Sequence, residues 1–212
     1  MEFFDVIHTQ RSIRRFKPDP VPDDVLWQMI DAAIRAPSGS NTQPWIWLIV
    51  RDEAKRKVLG QAVRDNLLPG NRLEELQKEV ELRETPSRKL SLKRAIDLFQ
   101  NLDHAPVIII PCLVGVSSPV SDNKTLLAGS SIYGAVQNMM LAARALEIGA
   151  VLTTFNSFME DTVRSEFNLP DDAVPVAVVP VGYPDGQTFG PTTRKPAETV
   201  TYWDSWGVAH QR

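Results

Sequence analysis

Ser130-Ser131-Ile132-Tyr133-Gly134-Ala135-Val136-Gln137-Asn138-Met139-Met140-Leu141-Ala142-Ala143-Arg144-Ala145-Leu146-Glu147-Ile148 places apolar side chains on nearly every face of a helix. A helix without a polar face needs cover all round. It therefore belongs either inside a layered monomer or between two copies of the chain. Gln137, Asn138, Arg144 and Glu147 argue against a membrane span.

Downstream of this helix, Ala150 to Phe155 reads as a strand and Glu160 to Phe167 as a short helix. Ala173 to Val181 reads as a further apolar strand interrupted by Pro175 and Pro180. Upstream, Pro106 to Val114 resembles a strand, and Pro111, which cannot donate to a ladder, predicts an edge position or a bulge there. Trp45 to Val50 is short, apolar and β-rich and reads as a buried strand entered from the loop Pro37 to Pro44. Nearer the amino terminus, Phe3, Val6 and Ile7 have helical spacing. Asp23 and Asp24 suit the positive end of a helix whose stripe is Leu26, Met29, Ile30, Ala33 and Ile34 and which Pro37 stops. From about Glu53 to Asn101 the chain is charged and helical, with thin apolar stripes, and reads as a mobile, partly exposed excursion. The segment from Gly182 onward is polar and proline-rich, yet Tyr202, Trp203 and Trp206 predict that it packs on something, such as another subunit.

With 212 residues, 43% of them hydrophobic, the chain can bury one core, and we read it as one domain. Its 23 basic and 26 acidic residues interleave at net charge -3, so no single-sign surface suits nucleic acid or an anionic membrane. The start Met1-Glu2-Phe3-Phe4-Asp5 is acidic where a secretory leader is basic, and the single Cys112 rules out an internal disulfide. A cytoplasmic location is expected. No G-x-G-x-x-G, P-loop, H-E-x-x-H, C-x-x-C or G-x-S-x-G stands in the sequence, so Rossmann binding, P-loop binding, zinc hydrolysis and serine hydrolysis lose their signatures, and no metal site is expected.

Two stretches remain that carry chemistry. Arg11-Ser12-Ile13-Arg14-Arg15 supplies three guanidinium forks and a hydroxyl able to grip a terminal phosphate, although on composition alone a solvated basic turn is the more ordinary reading. Pro37-Ser38-Gly39-Ser40-Asn41-Thr42-Gln43-Pro44-Trp45 combines small residues with donors for a polar heterocycle, or is a plain helix-to-strand loop. Cys112, His8, His104, Trp45 and Trp47 are read as structural or exposed residues.

Taken in order, Gln10 to Pro22, Ala36 to Trp45, Ser131 to Asn138, Leu152-Thr153-Thr154, Pro180 to Pro184 and Arg194-Lys195-Pro196 resemble the FMN-dependent nitroreductase family. The resemblance spans about residues 5 to 200. It implies an α+β fold, a three-layer α-β-α sandwich around a mostly antiparallel sheet, in an obligate homodimer. It implies a single domain over residues 1–212, with a helical cover at about 60–101 and a C-terminal extension at about 186–212. The implied activity is that of an NAD(P)H-dependent flavin oxidoreductase. NADH or NADPH would give hydride to flavin N5 and leave, and a nitroaromatic, quinone or similar small acceptor would then occupy the same pocket, in ping-pong order.

By the same resemblance, Arg11, Ser12, Arg14 and Arg194 hold the FMN phosphate, with Arg14 also a candidate for stabilising the reduced ring near N1. Pro37, Ser38, Ser40 and Asn41 touch the ring from the partner subunit, and Leu152, Thr153 and Thr154 lie near its pyrimidine edge and N5. The sequence departs from many relatives at Gln10, where a second basic residue is common. Residues 60–101 lack tyrosine, against the iodotyrosine deiodinase branch, and Ser12 stands where the flavin-destroying branch has Asp. The alternatives are a flavin-binding store or sensor without turnover and a flavin-free scaffold.

Overall fold

The computed structural model describes residues 1–115 and 123–208. Helices α1 (Phe3–Thr9), α2 (Asp23–Ala33), α3 (Glu53–Leu67), α4 (Arg72–Leu82), α5 (Pro86–Asn101), α6 (Asn123–Ala145) and α7 (Glu160–Phe167) surround strands β1 (Trp45–Val50), β2 (Val107–Val114), β3 (Gly149–Ala150), β4 (Ala173–Pro175) and β5 (Val179–Gly182). Strand β2 explains the layering. Its side chains alternate between faces, and Val107, Ile109 and Leu113 join the core of α2 and α6, whereas Ile108, Ile110 and Cys112 join that of α3, α5 and α7. A strand apolar on both faces demands helices on both. The result is an α+β sandwich of three layers around a sheet of order β1-β2-β5-β3, with β4 also on β2 and every strand pair antiparallel.

Four local expectations need correction. Strand β2 lies at the centre of the sheet, not at its edge, although it contains Pro111. On one side Pro111 faces Trp47 of β1. On the other, the partner changes from β5, opposite Val107–Ile109, to β4, opposite Cys112–Val114. The Pro111 carbonyl accepts from the Val176 N–H at 2.9 Å on that second side. A strand residue's N–H and C=O point the same way, so the missing donor falls where the neighbouring ladder is already broken. β1, read as buried, is instead an edge strand with Ile46 52% exposed, because only β2 flanks it. The strand expected over Ala150 to Phe155 ends at Ala150, since only Gly149 and Ala150 meet β5. Beyond it Thr153 makes one isolated bridge to Val178 before a 3₁₀ turn at Phe155–Phe158.

Helix α6 is buried on one face only. Ile132, Ala135, Val136, Met139 and Ala143 are fully buried at helical spacing, while Tyr133, Gly134, Gln137 and Ala145 are exposed. It stops sharply: Glu147 takes a left-handed conformation (φ 61°), and the Ile148 N–H reaches back to the Ala143 carbonyl at 2.8 Å, which turns the chain into β3. Within the cover, Thr85 caps α5 through its Oγ1 and Pro86 occupies the first turn. The two cover helices α4 and α5 share only a small cluster of Leu76, Val80 and Ile96. In the tail, Tyr202 and Trp206 lie ring to ring at 5.0 Å, with Trp206 92% exposed.

Candidate anion-binding site

The amino-terminal arginine stretch is held as an extra strand on the edge of the sheet. Ser12 bridges Ala150 in parallel, the Ile13 N–H donates to the Ala150 carbonyl at 3.2 Å, and Ile13 is fully buried. Alternation along an extended chain then turns Ser12 and Arg14 away from the core that takes Ile13. The segment after β5 runs back along this stretch: Lys17 N–H donates to the Tyr183 carbonyl, and Asp185 N–H to the Arg15 carbonyl. The buried Gln187 carboxamide oxygen accepts from Arg14 N–H at 2.6 Å and from Arg15 N–H at 3.0 Å. Further on, the guanidinium of the buried Arg144 donates to Thr9 Oγ1 at 2.9 Å and sits 4.2 Å over the Phe189 ring. These contacts clamp the tail against α1 and deliver Arg194 to the neighbourhood of Arg11.

There a cavity of about 350 Å³ opens, lined by Arg11, Ser12, Arg14 and Arg194 and by Ser87, Ser91 and Arg94 of α5, with no carboxylate in its wall. Gln10 also lines it, so the departure from the family pattern lies in the site itself. Among the described residues, the side chains of Arg11, Arg14 and Arg94 make no hydrogen bond or ion pair, and that of Arg194 only reaches the Thr193 carbonyl. The other arginines among the described residues are partnered, as Arg15 is by Asp97, Arg64 by Asp103 and Arg164 by Glu160. The Arg14 pKa falls below its ordinary value, first through burial and then through repulsion from Arg94 and Arg11. Positive charge is thus gathered here without a protein anion to neutralise it.

Other expected site residues lie elsewhere in the chain. Pro37, Ser38, Ser40 and Asn41 do not line the arginine cavity. Their loop has left-handed backbone at Ser40, Asn41 and Gln43, and is tied by Gly39 N–H to Ser131 Oγ and by Gln43 N–H to Ser38 Oγ. Leu152, Thr153 and Thr154 are also absent from the cavity wall. Thr153 pairs its backbone and hydroxyl with Val178, and the Ser12–Ala150 bridge places the three just beyond the arginine strand. Sequence reasoning missed Arg94, Ser87, Ser91 and Gln187. The α5 residues were detectable as a stripe at i, i+4 and i+7; Gln187 carried no local signal.

The Nitroreductase family profile matches residues 7–183. An NADH dehydrogenase of Thermus thermophilus is 28% identical over 207 residues, covering 92% of both chains. A nitrobenzene nitroreductase of Ectopseudomonas oleovorans is 27% identical, covering 85% of this chain and 86% of its own. A nitroreductase from Bacteroides fragilis, solved with bound FMN, superposes with TM-score 0.69 at 20% identity over 96% of this chain and 100% of its own. The matched span contains the arginine strand, the sheet and α6, and the chain belongs to the nitroreductase family, as an oxidoreductase enzyme.

Proposed function

We propose that this protein binds FMN non-covalently in a homodimer and uses NADH or NADPH to reduce nitroaromatic, quinone or similar small acceptors in ping-pong order. One observation carries the reading: unpaired guanidinium groups from opposite ends of the chain line a single carboxylate-free cavity. Such a wall fits a phosphate monoester, whose charge and three acceptor oxygens suit bidentate arginines. The Bacteroides fragilis structure with bound FMN supports the choice of flavin.

When bound, the flavin supplies two-electron hydride chemistry at its N5. The protein's share is position and field. Arg11, Ser12, Arg14 and Arg194 hold the phosphate, and Arg14 also sets positive charge toward the ring. Leu152, Thr153 and Thr154 border the ring from the same chain, and Pro37, Ser38, Ser40 and Asn41 border it from a second copy. A second copy also accounts for the apolar surface of one chain, where Phe3, Phe4, Trp27 and Tyr133 are exposed at 63%, 68%, 69% and 42%. Residues 1–212 act as one unit, with a helical cover at about 60–101 and a C-terminal extension at about 186–212.

The test is an absorbance spectrum of the purified protein, anaerobic titration with NADH and NADPH, then reoxidation by a nitroaromatic or quinone. Bleaching and recovery are expected. A yellow protein that neither nicotinamide bleaches would mark a flavin store, and a colourless one that takes up no FMN would end the reading. Light scattering after size exclusion should give twice the chain mass.

A further inference from the structure

We propose that Arg94 of α5, assisted by Ser87 and Ser91, is a further ligand of the cofactor phosphate, so that the cofactor itself fastens the amino-terminal half of the cover helix. The proposal rests on the FMN reading above.

Helix α5 presents Ser87, Leu90, Ser91 and Arg94 to the arginine cavity, a spacing that puts all four on one face. Arg94 is half-buried and unpartnered among the described residues. Arg88, on the same helix, is instead paired with Glu84 at 3.3 Å. The first buried residue of α5 is Ile96, in its second half; Leu98 then enters the main core, and Arg64 holds the Gln100 carbonyl at 3.0 Å. Before Ile96 only Leu92 packs, half-buried, on the small cluster shared with α4, while Pro86, Ser87, Arg88, Leu90 and Ser91 of the first turns are exposed. A helix end without a core can be held by a charge-assisted contact instead. A phosphate bearing roughly -1.5 to -2 charge answers Arg11, Arg14 and Arg94 together.

The decisive comparison is FMN against riboflavin, which differ by the phosphate alone. Both are titrated into the full-length chain stripped of flavin, with fluorescence quenching as the readout, and amide hydrogen exchange is followed over residues 86–94. FMN, but not riboflavin, should protect this segment in the wild type. Arg94→Ala should weaken FMN binding about tenfold to a hundredfold, leave riboflavin binding unchanged and abolish the protection. Arg88→Ala should change none of these. If Arg94→Ala fails to fold, Arg94→Lys gives the same comparison with the charge kept and the fork lost. FMN affinity unchanged by the substitution, or both flavins weakened alike, would overturn the assignment. A wild-type chain that binds neither flavin would instead remove the functional reading beneath it.

Discussion

Gln187 and Arg14 stand 173 residues apart in the chain, yet the carboxamide oxygen of the first accepts the backbone N–H of the second at 2.6 Å. The same oxygen accepts from Arg15, so one buried side chain orders the backbone of the arginine strand. Gln187→Ala leaves two N–H groups unpaired. Urea unfolding should show a loss of about 2–4 kcal/mol, and flavin should dissociate more readily from the variant. Unchanged stability would show that water replaces the carboxamide without cost.

Arg14 carries a different load. Burial and the nearby Arg94 and Arg11 already strain its charge, so an anion that relieves this repulsion should depend on it. Arg14→Ala should weaken FMN binding by about 1.5–3 kcal/mol and make the bound flavin's reduction potential more negative. Potentiometry and binding titration together check this. If neither quantity moves, Arg14 serves neither the phosphate nor the ring.

Gly149 sets how closely the arginine strand lies on the sheet. A Cβ there would sit 2.6 Å from Ile13 Cγ2 and 3.1 Å from the Gly182 carbonyl oxygen, and neither the buried Ile13 nor the backbone has room to yield. Gly149→Ala should cost about 1–3 kcal/mol and displace residues 11–14, lowering flavin affinity. Gly190→Ala, where a Cβ meets open space, should be neutral in thermal melts. Equal melting behaviour of the two variants would show that the sheet absorbs the extra methyl.

Cys112 is 1% exposed between the sheet and α3, and burial pushes its thiol pKa from 9.0 up to about 12. The folded state thus favours the neutral thiol. Its contribution to stability is complete below pH 9 and is lost as pH rises toward 12, because the unfolded chain ionises first. The native protein should therefore resist a disulfide exchange reagent at pH 8 and react at once in denaturant. Rapid reaction of the folded protein would contradict this burial.

Much of the framework was legible without coordinates. α2 and α7 could be located because an amphipathic stripe and acidic first turns are local properties. β2 was legible as a strand for the same reason, but its central position was not, since the gap between β4 and β5 that accommodates Pro111 belongs to its neighbours. α6 illustrates the converse. Its unbroken apolarity is plain in the sequence, and only packing shows that a single chain covers one face and leaves Tyr133 and Gln137 outside.

The site divides in the same way. Residue type offered Arg11, Ser12 and Arg14 as a phosphate grip, against the more ordinary reading of a solvated basic turn, and only the ordered motifs that pointed to the family singled them out and added Arg194. Arg94 and Gln187 were beyond its reach. Whether an arginine finds a carboxylate or faces an open cavity, and whether a glutamine meets water or two backbone N–H groups, depends on segments far apart in the chain. Local sequence thus determined which elements form and which chemistry is available. Tertiary structure decided which charges remain uncompensated, since desolvation and pairing are properties of neighbours in space.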